Sequence, residues 1–290
     1  MSTVIQVRPR QFVKTAALEQ VMQRALRYLR SGYSVHLAGP TGIGKTTLAT
    51  HLAACRQQPM MLMLGGHDLA VHSDFSQYDS WLRVACREGW TVIYDEFNRS
   101  RPESNTMLLS TLGEQGLIFP QEGGSVPIHP EFRVIFTSNS EEYYGTYGTQ
   151  SALLDRMVTM HLPEPTMLAQ QQLLMELVGI SIESAALVIR LVQQFFRQVS
   201  PEGRFSLRPK LMIARICHCE SITVSVDDAD FRQVCRDVLL SRSSQSATDA
   251  NEVLWELFNR LSRQRSAITS EASSCLSLEH AGLNYTDRYY

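Results

Sequence analysis

The stretch that decides the fold is rich in glycine and reads Gly39-Pro40-Thr41-Gly42-Ile43-Gly44-Lys45-Thr46. It matches the pattern G-x-x-x-x-G-K-[ST], in which glycines let the backbone wrap around an anion. Its N–H groups and the N-terminus of the helix that follows attract phosphate. We therefore expect these residues and Thr47 to bind a nucleotide, with Lys45 at the β- and γ-phosphates and Thr46 at Mg²⁺.

The sequence on either side of this loop supports the prediction. Val35-His36-Leu37-Ala38 has the pattern of a short buried strand, and residues 45–55 have the pattern of a helix. The chain has only three lysines, Lys14, Lys45 and Lys210, so composition alone does not account for a lysine at this position. The loop is therefore predicted to lie between a strand and a helix, as phosphate-binding loops do.

Composition places the chain among ordinary globular proteins. It has 290 residues, 44% hydrophobic and 19% charged, with a formal net charge of -2. This charge argues against a general nucleic-acid binder. No apolar run approaches the length of a membrane span, and residues 1–10 lack the apolar core of a secretory signal. We expect a cytoplasmic protein with neither a membrane nor a nucleic acid as partner.

Predicted strands alternate with predicted helices through the first half of the chain. The pattern indicates a helix capped by Thr15 and running to Arg30, a helix over 81–87 and another that begins at Pro102, while 65–80 has the polar composition of a loop. The predicted strands are 60–64, 90–94 and 134–137, and a hairpin joins 117–119 to 126–128. This alternation predicts an α/β fold with a parallel sheet.

The pattern changes after Pro163-Glu164-Pro165. An α/β domain is predicted over residues 1–163 and a smaller, all-helical domain over 164–241. Residues 242–290 are predicted to hold a serine-rich linker to Asn251, one helix over 252–263 and a flexible polar tail.

Two carboxylates follow the predicted strand at 90–94. Asp95 and Glu96 should therefore lie beside the glycine-rich loop, at the carboxyl edge where open α/β sheets bind ligands. A carboxylate at Asp95 can hold Mg²⁺, largely through water. Glu96 can polarise the attacking water as a general base. Together with the loop, this pair predicts hydrolysis as well as binding of a nucleotide.

Three further polar residues follow in order. Asn139 comes after the predicted strand at 134–137, where its amide can orient the attacking water. Arg156 precedes an apolar segment, and Arg208 opens a helix in the second half of the chain. Arginine suits the charge that develops during phosphoryl transfer. Each of these residues is weak evidence alone, and only the order of the whole set favours a catalytic role.

This order of motifs resembles the AAA+ ATPases, and within them the MoxR branch and the gas vesicle protein N family. The segments that carry the likeness are Gly32-Tyr33, His36-Leu37-Ala38-Gly39-Pro40, Tyr94-Asp95-Glu96-Phe97-Asn98-Arg99-Ser100-Arg101-Pro102-Glu103, His129-Pro130-Glu131-Phe132-Arg133 and Phe136-Thr137-Ser138-Asn139-Ser140-Glu141-Glu142-Tyr143. The likeness is close over residues 11–162 and looser beyond. One departure is the short segment 65–80, where the family has a longer insertion.

The resemblance implies a cytoplasmic ATPase that supports the formation of gas vesicles, in the cytoplasm or on the vesicle itself. It implies an AAA+ domain over 1–163, a helical lid over 164–241, and a ring, hexameric by analogy, with ATP and Mg²⁺ between subunits. Asn139 then resembles the sensor-1 residue, Arg156 the arginine finger that acts on a neighbour's nucleotide, and Arg208 the sensor-2 residue. Gas vesicle structural or accessory proteins are the implied partners.

Other functions remain open at this point. MoxR-type ATPases also insert metal into metalloenzymes with a von Willebrand-type partner. A nucleotide-dependent scaffold with little turnover is a second alternative, although such a protein needs no general base at Glu96. The net charge disfavours a DNA-acting AAA+ protein. A Ras-like GTPase is disfavoured because the chain has no Asn-Lys-x-Asp segment.

Overall fold

The computed structural model describes residues 12–65, 75–100, 112, 117–119, 124–139, 151–200 and 206–281. The chain divides into two compact units, Met1–Thr166 and Met167–Tyr290. The predicted helix that begins at Pro102 lies outside the described residues. Within the described ranges, none of the helices is both long and apolar enough to cross a membrane.

The first unit alternates helices with strands. Its helices are α1 (Ala16–Arg30), α2 (Lys45–Cys55), α3 (Phe75–Glu88) and α4 (Ser151–Leu154). Its strands are β1 (Ser34–Ala38), β2 (Met60–Leu64), β3 (Thr91–Asp95), β4 (Leu117–Phe119), β5 (Gly124–Val126), β6 (Arg133–Ser138) and β7 (Met157–His161). The Thr15 side chain accepts a hydrogen bond from Leu18 N, so α1 begins where the sequence predicts.

In the described part of the first unit, five parallel strands form a sheet in the order β2-β3-β6-β1-β7. Strand β3 is buried along its whole length, and β1 and β6 are buried at all but one end residue each. Such continuous burial is typical of a parallel sheet covered on both faces. The predicted α/β fold is therefore confirmed.

Two local predictions about the first unit are corrected by the structure. Helix α3 begins at Phe75, whereas residues up to Ser80 were predicted to form a loop. Phe75 and Tyr78 continue the helical spacing of Leu82, but the serine, glutamine and aspartate residues around them give this stretch the composition of a loop. The hairpin pairs β4 with β5 from Leu117↔Val126 to Phe119↔Gly124, so its second strand lies before Pro127 and not over 126–128.

The second unit is helical. It contains α5 (Met167–Val178), α6 (Ile182–Val199), α7 (Arg208–Cys219), α8 (Ala229–Leu239) and α9 (Ala247–Ala281). Ser181 and Asp228 cap α6 and α8 through their side chains. One apolar core unites these helices, with Phe195, Ile213 and Phe231 fully buried in it. An all-helical second half was predicted, and the structure has it.

The long helix α9 differs from the predicted linker and short helix. It begins at Ala247 and reaches Ala281, whereas 242–251 was predicted to be a linker and the helix to span 252–263. Ala250 is fully buried and Leu254 lies one turn further along the same core. The serine-rich segment ends at Ser246, whose Oγ accepts a hydrogen bond from Asp249 N at 3.2 Å, so it leads into the start of the helix and does not continue to Asn251. The division into an ATPase domain, a lid and a tail stays a prediction.

Candidate functional site

The predicted site residues of the first unit gather at one edge of the sheet. The glycine-rich loop follows β1, Asp95 ends β3, and Asn139 follows β6. Strand β6 lies between β3 and β1, and all three run in parallel. Their carboxyl ends therefore meet at the same edge, which is where open α/β sheets bind ligands.

The backbone of the loop explains its glycines. Gly42 and Gly44 have φ angles of 81° and 97°, in the left-handed region that side chains with a β-carbon disfavour. Gly44 also precedes the first residue of α2, and its carbonyl accepts a hydrogen bond of 2.9 Å from Leu48 N. The loop therefore leads directly into a helix N-terminus, where the helix dipole favours an anion.

Lys45 links the loop to the end of β6. The residue is 6% exposed, and Nζ lies 2.9 Å from Gly39 O, 2.7 Å from Pro40 O and 2.9 Å from Asn139 Oδ1. A buried ammonium needs such partners, because its desolvation is otherwise costly. The contact with Asn139 brings together two predicted site residues that are 94 positions apart.

Asp95 accepts two hydrogen bonds at one oxygen. Its Oδ1 lies 2.7 Å from Thr46 Oγ1 and 2.5 Å from Thr137 Oγ1, and the residue is 8% exposed. The hydroxyl of Thr46 and the carboxylate of Asp95 are hard oxygen ligands, and their proximity fits a shared Mg²⁺. The described residues contain no cluster of three or more His, Cys, Asp or Glu suited to a metal.

Glu96 follows β3 in an unusual conformation. Its φ and ψ angles are 53° and 42°, which are rare for a residue other than glycine. Its N–H donates to Thr137 Oγ1 at 2.9 Å, and its Oε2 lies 2.9 Å from Arg99 Nε. The side chain is 27% exposed. Glu96 is thus held at its backbone N–H and at one carboxylate oxygen, and its side chain remains open to water.

Three residues that the sequence analysis did not select support these groups. Thr137 joins Asp95 to Glu96, and Asn98 donates from Nδ2 to Asn139 O at 3.1 Å. Phe97 is buried 5.2 Å from both the Phe136 ring and the His36 ring. A signal existed for Thr137, because it lies two positions before Asn139 and strand alternation puts both on one face.

His36 of β1 contacts the strands on both sides of it. Its Nε2 lies 2.8 Å from Ser138 Oγ and its Nδ1 lies 3.1 Å from Thr159 Oγ1, so it joins β1 to both neighbouring strands. A neutral imidazole offers one donor and one acceptor, which the two hydroxyls can satisfy. Burial, and secondarily the charge of His161, lowers the pKa of His36 to about 4. His36 is therefore neutral in the folded chain at neutral pH.

This pKa shift predicts a loss of stability in acid. Between pH 6.5 and about 4 the unfolded chain binds a proton at His36 and the folded chain does not, so stability falls as the pH falls through this range. The expected loss is about 3 kcal/mol, at 1.36 kcal/mol per pKa unit. Urea unfolding at several pH values should show that the free energy of unfolding falls more steeply with falling pH in the wild type than in His36→Gln. The titration of carboxylates is common to both proteins and does not contribute to this difference. Equal pH dependence in the two proteins would contradict the prediction.

Arg156 lies at the opposite edge of the sheet. It comes between α4 and β7, is exposed, and donates from Nη1 to Ala152 O at 2.6 Å. Met157 pairs with Ser34 at the start of β1, whereas the glycine-rich loop follows the end of β1. Because β1 has 5 residues, about 16 Å separates these edges at ~3.3 Å per residue. The structure does not bring Arg156 to the loop of its own chain.

Arg208 belongs to the second unit. It is the first residue of α7, as predicted, and is exposed. Its backbone N–H donates to Ser206 Oγ at 3.2 Å, which stabilises the start of the helix. Pro209 follows at a position where a missing N–H does no harm. Its proposed role toward a nucleotide stays a prediction.

Known proteins are similar to this chain in fold and in sequence. Residues 34–157 match the family described as AAA domain (dynein-related subfamily). A solved structure, a mutant of Thermotoga maritima RuvB, superposes with a TM-score of 0.55 at 17% sequence identity, covering 79% of this chain and 71% of that one. At this identity the likeness shows the fold alone, an AAA+ α/β core followed by helices.

Sequence relatives are more specific. The gas vesicle ATPase GvpN of Ancylobacter aquaticus is 36% identical, with 81% of this chain and 75% of that protein covered. The gas vesicle ATPase GvpN of Haloferax mediterranei is 33% identical, with 83% of this chain and 77% of that protein covered. Both alignments run well beyond the AAA domain, so the likeness is not confined to the nucleotide-binding motifs. The chain therefore belongs to the GvpN family of gas vesicle ATPases.

Proposed function

We propose that this chain hydrolyses ATP with Mg²⁺ to drive an assembly or remodelling step in gas vesicle formation. The observation that carries the proposal is the continuous set of contacts Thr46–Asp95–Thr137–Glu96, which joins the glycine-rich loop to two carboxylates at one sheet edge. A protein that only binds a nucleotide needs the loop but has no use for a tethered carboxylate beside it.

The proposed roles follow from these positions. Residues 39–47 bind the phosphates of ATP, and Lys45 exchanges at least one of its present oxygen partners for a phosphate oxygen. Glu96 accepts a proton from the attacking water as the water oxygen bonds to the γ-phosphorus, while the bond from that phosphorus to the β–γ bridging oxygen breaks and ADP leaves. Asn139 orients that water from the end of β6. Thr46 and Asp95 hold Mg²⁺, which neutralises phosphate charge when bound.

The proposal includes a ring of subunits, a hexamer by analogy with the AAA+ proteins. Arg156 lies at the sheet edge remote from its own loop, so it serves as an arginine finger only toward a neighbour. Arg208 is proposed to act as the sensor-2 residue from the helical unit. In this scheme residues 1–163 are the ATPase domain, 164–241 the lid, and 242–290 an extension that packs with the lid through α9.

The gas vesicle role rests on the family, since the relatives are gas vesicle ATPases. We propose gas vesicle structural or accessory proteins as partners and the cytoplasm, including the surface of a growing vesicle, as the location. Family membership favours this role over metal insertion with a von Willebrand-type partner.

Lys45→Ala tests the link between ATP and vesicle formation. The variant should lose most of its ATP affinity, because the ammonium at the phosphates is lost. Calorimetric titration with ATP and Mg²⁺ measures this, with Lys14→Ala as the matched control at an exposed lysine. In a host that lacks the gene, electron microscopy should find vesicles restored by the control but not by Lys45→Ala. Normal vesicles in the deletion strain would overturn the proposed function.

A further inference from the structure

The residue after β2 lies against the backbone of Glu96. Gly65 N donates to Asp95 O at 2.7 Å, which extends the pairing Leu64↔Asp95 of β2 with β3 by one residue. A β-carbon at Gly65 would lie 2.0 Å from Glu96 O and 3.1 Å from Phe97 Cα. Its φ lies outside the left-handed region, so the need for glycine here is one of space.

The backbone that Gly65 contacts is itself strained. A left-handed conformation at a residue with a β-carbon costs on the order of 1–3 kcal/mol and persists only where neighbours impose it. Glu96 has that conformation at φ 53°. On the side away from Gly65, the Glu96 N–H is held by Thr137 Oγ1 of β6 at 2.9 Å. The turn at Glu96 is therefore confined between the strands on either side of β3.

We propose that Gly65 and Thr137 are positioning residues that set the direction of the Glu96 carboxylate. The inference rests on the proposed role of Glu96 as general base. Gly65 admits the Glu96 carbonyl close to the end of β2, and Thr137 fixes the N–H of the same residue. Because the Glu96 carbonyl is confined beside Gly65 and the Glu96 N–H is bonded to Thr137, the Cα–Cβ bond of Glu96 points in one direction at the carboxyl edge of the sheet.

The loss of rate expected from a β-carbon at position 65 follows from how far that atom would displace the Glu96 carbonyl. Ordinary contacts of a β-carbon begin at 3.4 Å, so alanine at position 65 would force the Glu96 carbonyl away by more than an ångström. The atom that must move is backbone, which cannot rotate aside as a side chain can. A misplacement of about 1 Å at a catalytic group can cost about 10²-fold in rate.

Gly65→Ala should therefore lower kcat by about 10²-fold. The Kd for ATP and the number of ATP molecules bound per chain should stay at the wild-type values, because the glycine-rich loop at 39–46 is unchanged. Gly179→Ala is the matched control, since it adds strain at a positive φ in the second unit and its β-carbon meets only the His218 side chain, at 3.5 Å. The control should keep kcat even if its melting temperature falls.

Thr137 supplies a second, independent test. Thr137→Ser keeps the hydroxyl that accepts from Glu96 N and donates to Asp95 Oδ1 and should retain kcat, whereas Thr137→Val has nearly the same shape without that hydroxyl and should lose it. Because valine also removes the contact with Asp95, the loss is assigned to Glu96 only if Thr137→Val causes no further loss of rate in a Glu96→Gln background. Equal kcat in the serine and valine variants would overturn the role of Thr137. The pair does not depend on how well Gly65→Ala folds.

A double-mutant cycle separates this inference from the proposed function. If Gly65 acts through the Glu96 carboxylate, adding Gly65→Ala to Glu96→Gln should cause no further loss of rate. Losses that multiply would mean that Gly65 acts elsewhere, and the inference would be wrong while Glu96 remained the base. Wild-type hydrolysis by Glu96→Gln alone would instead overturn the role of Glu96 and, with it, the positioning role.

Discussion

The Glu96→Gln variant is expected to bind ATP like the wild type and to hydrolyse it ~10²–10⁴-fold more slowly, the usual cost of losing a general base. The amide has nearly the size of the carboxylate but cannot accept a proton from water. Phosphate release at saturating ATP measures the rate, and calorimetric titration measures the affinity. Affinity should hold because the contacts of Lys45 and Thr46 do not involve Glu96.

The fold should survive this substitution. The hydrogen bond of Glu96 to Thr137 is made by the backbone N–H, which glutamine keeps. The side chain loses only its ion pair with Arg99, which is half exposed, and such pairs contribute about 0–1 kcal/mol. A fall in rate with an unchanged melting temperature would therefore report chemistry. Phosphate release at the wild-type rate would assign the base to another residue, and no measurable turnover in the wild type would favour the scaffold alternative.

The site was predictable where function and fold use the same short segments. The glycines of the loop at 39–46 predict its conformation, and a run of β-prone residues before Asp95 predicts β3. Parallel topology puts the carboxyl ends of β1, β3 and β6 at one edge of the sheet, and the strand order β3-β6-β1 found in the structure then brings Lys45 to Asn139. These inferences need no knowledge of side-chain packing.

What holds Glu96 in place was not predictable in this way. Gly65 and Thr137 act through contacts between distant segments, and Thr137 lies 41 positions from the N–H that it binds. No pattern in the sequence separates Gly65 from Gly66, because the need for glycine arises only when β2 meets β3 in register. The early start of α9 was hidden for a related reason, since the burial of Ala250 in the helical core is a tertiary contact that the pattern of residues 247–251 does not show.

Arg156→Ala is the variant with the largest expected loss. An arginine finger supplied by a neighbour contributes ~10³–10⁵ in rate in well-studied phosphoryl transfers. The variant should therefore bind ATP normally and hydrolyse it poorly. Arg156 is exposed and its side chain donates to Ala152 O, one turn earlier in the chain, so its removal should leave the first unit folded. The expected fall in the rate of hydrolysis is therefore not attributed to a loss of core packing or of an ion-pair network.

The position of Arg156 requires that the finger act between subunits. Strand β1 separates it from the loop of its own chain by about 16 Å at ~3.3 Å per residue, more than an arginine side chain can span. Hydrolysis per subunit in the wild type should accordingly rise with protein concentration as rings form. Size-exclusion chromatography with light scattering, run at the same concentrations, would relate the rate to the assembly.

Mixing two inactive variants tests the shared site directly. An Arg156→Ala subunit keeps Glu96, and a Glu96→Gln subunit keeps Arg156, so an interface between them can hold one complete set of catalytic groups. A titration of one variant with the other at fixed total protein should restore part of the activity, with a maximum at intermediate ratios. A finger that acts within its own subunit would give no rescue, because every subunit would carry one broken part. Mixed rings with activity no greater than the sum of the two variants would therefore exclude a shared site.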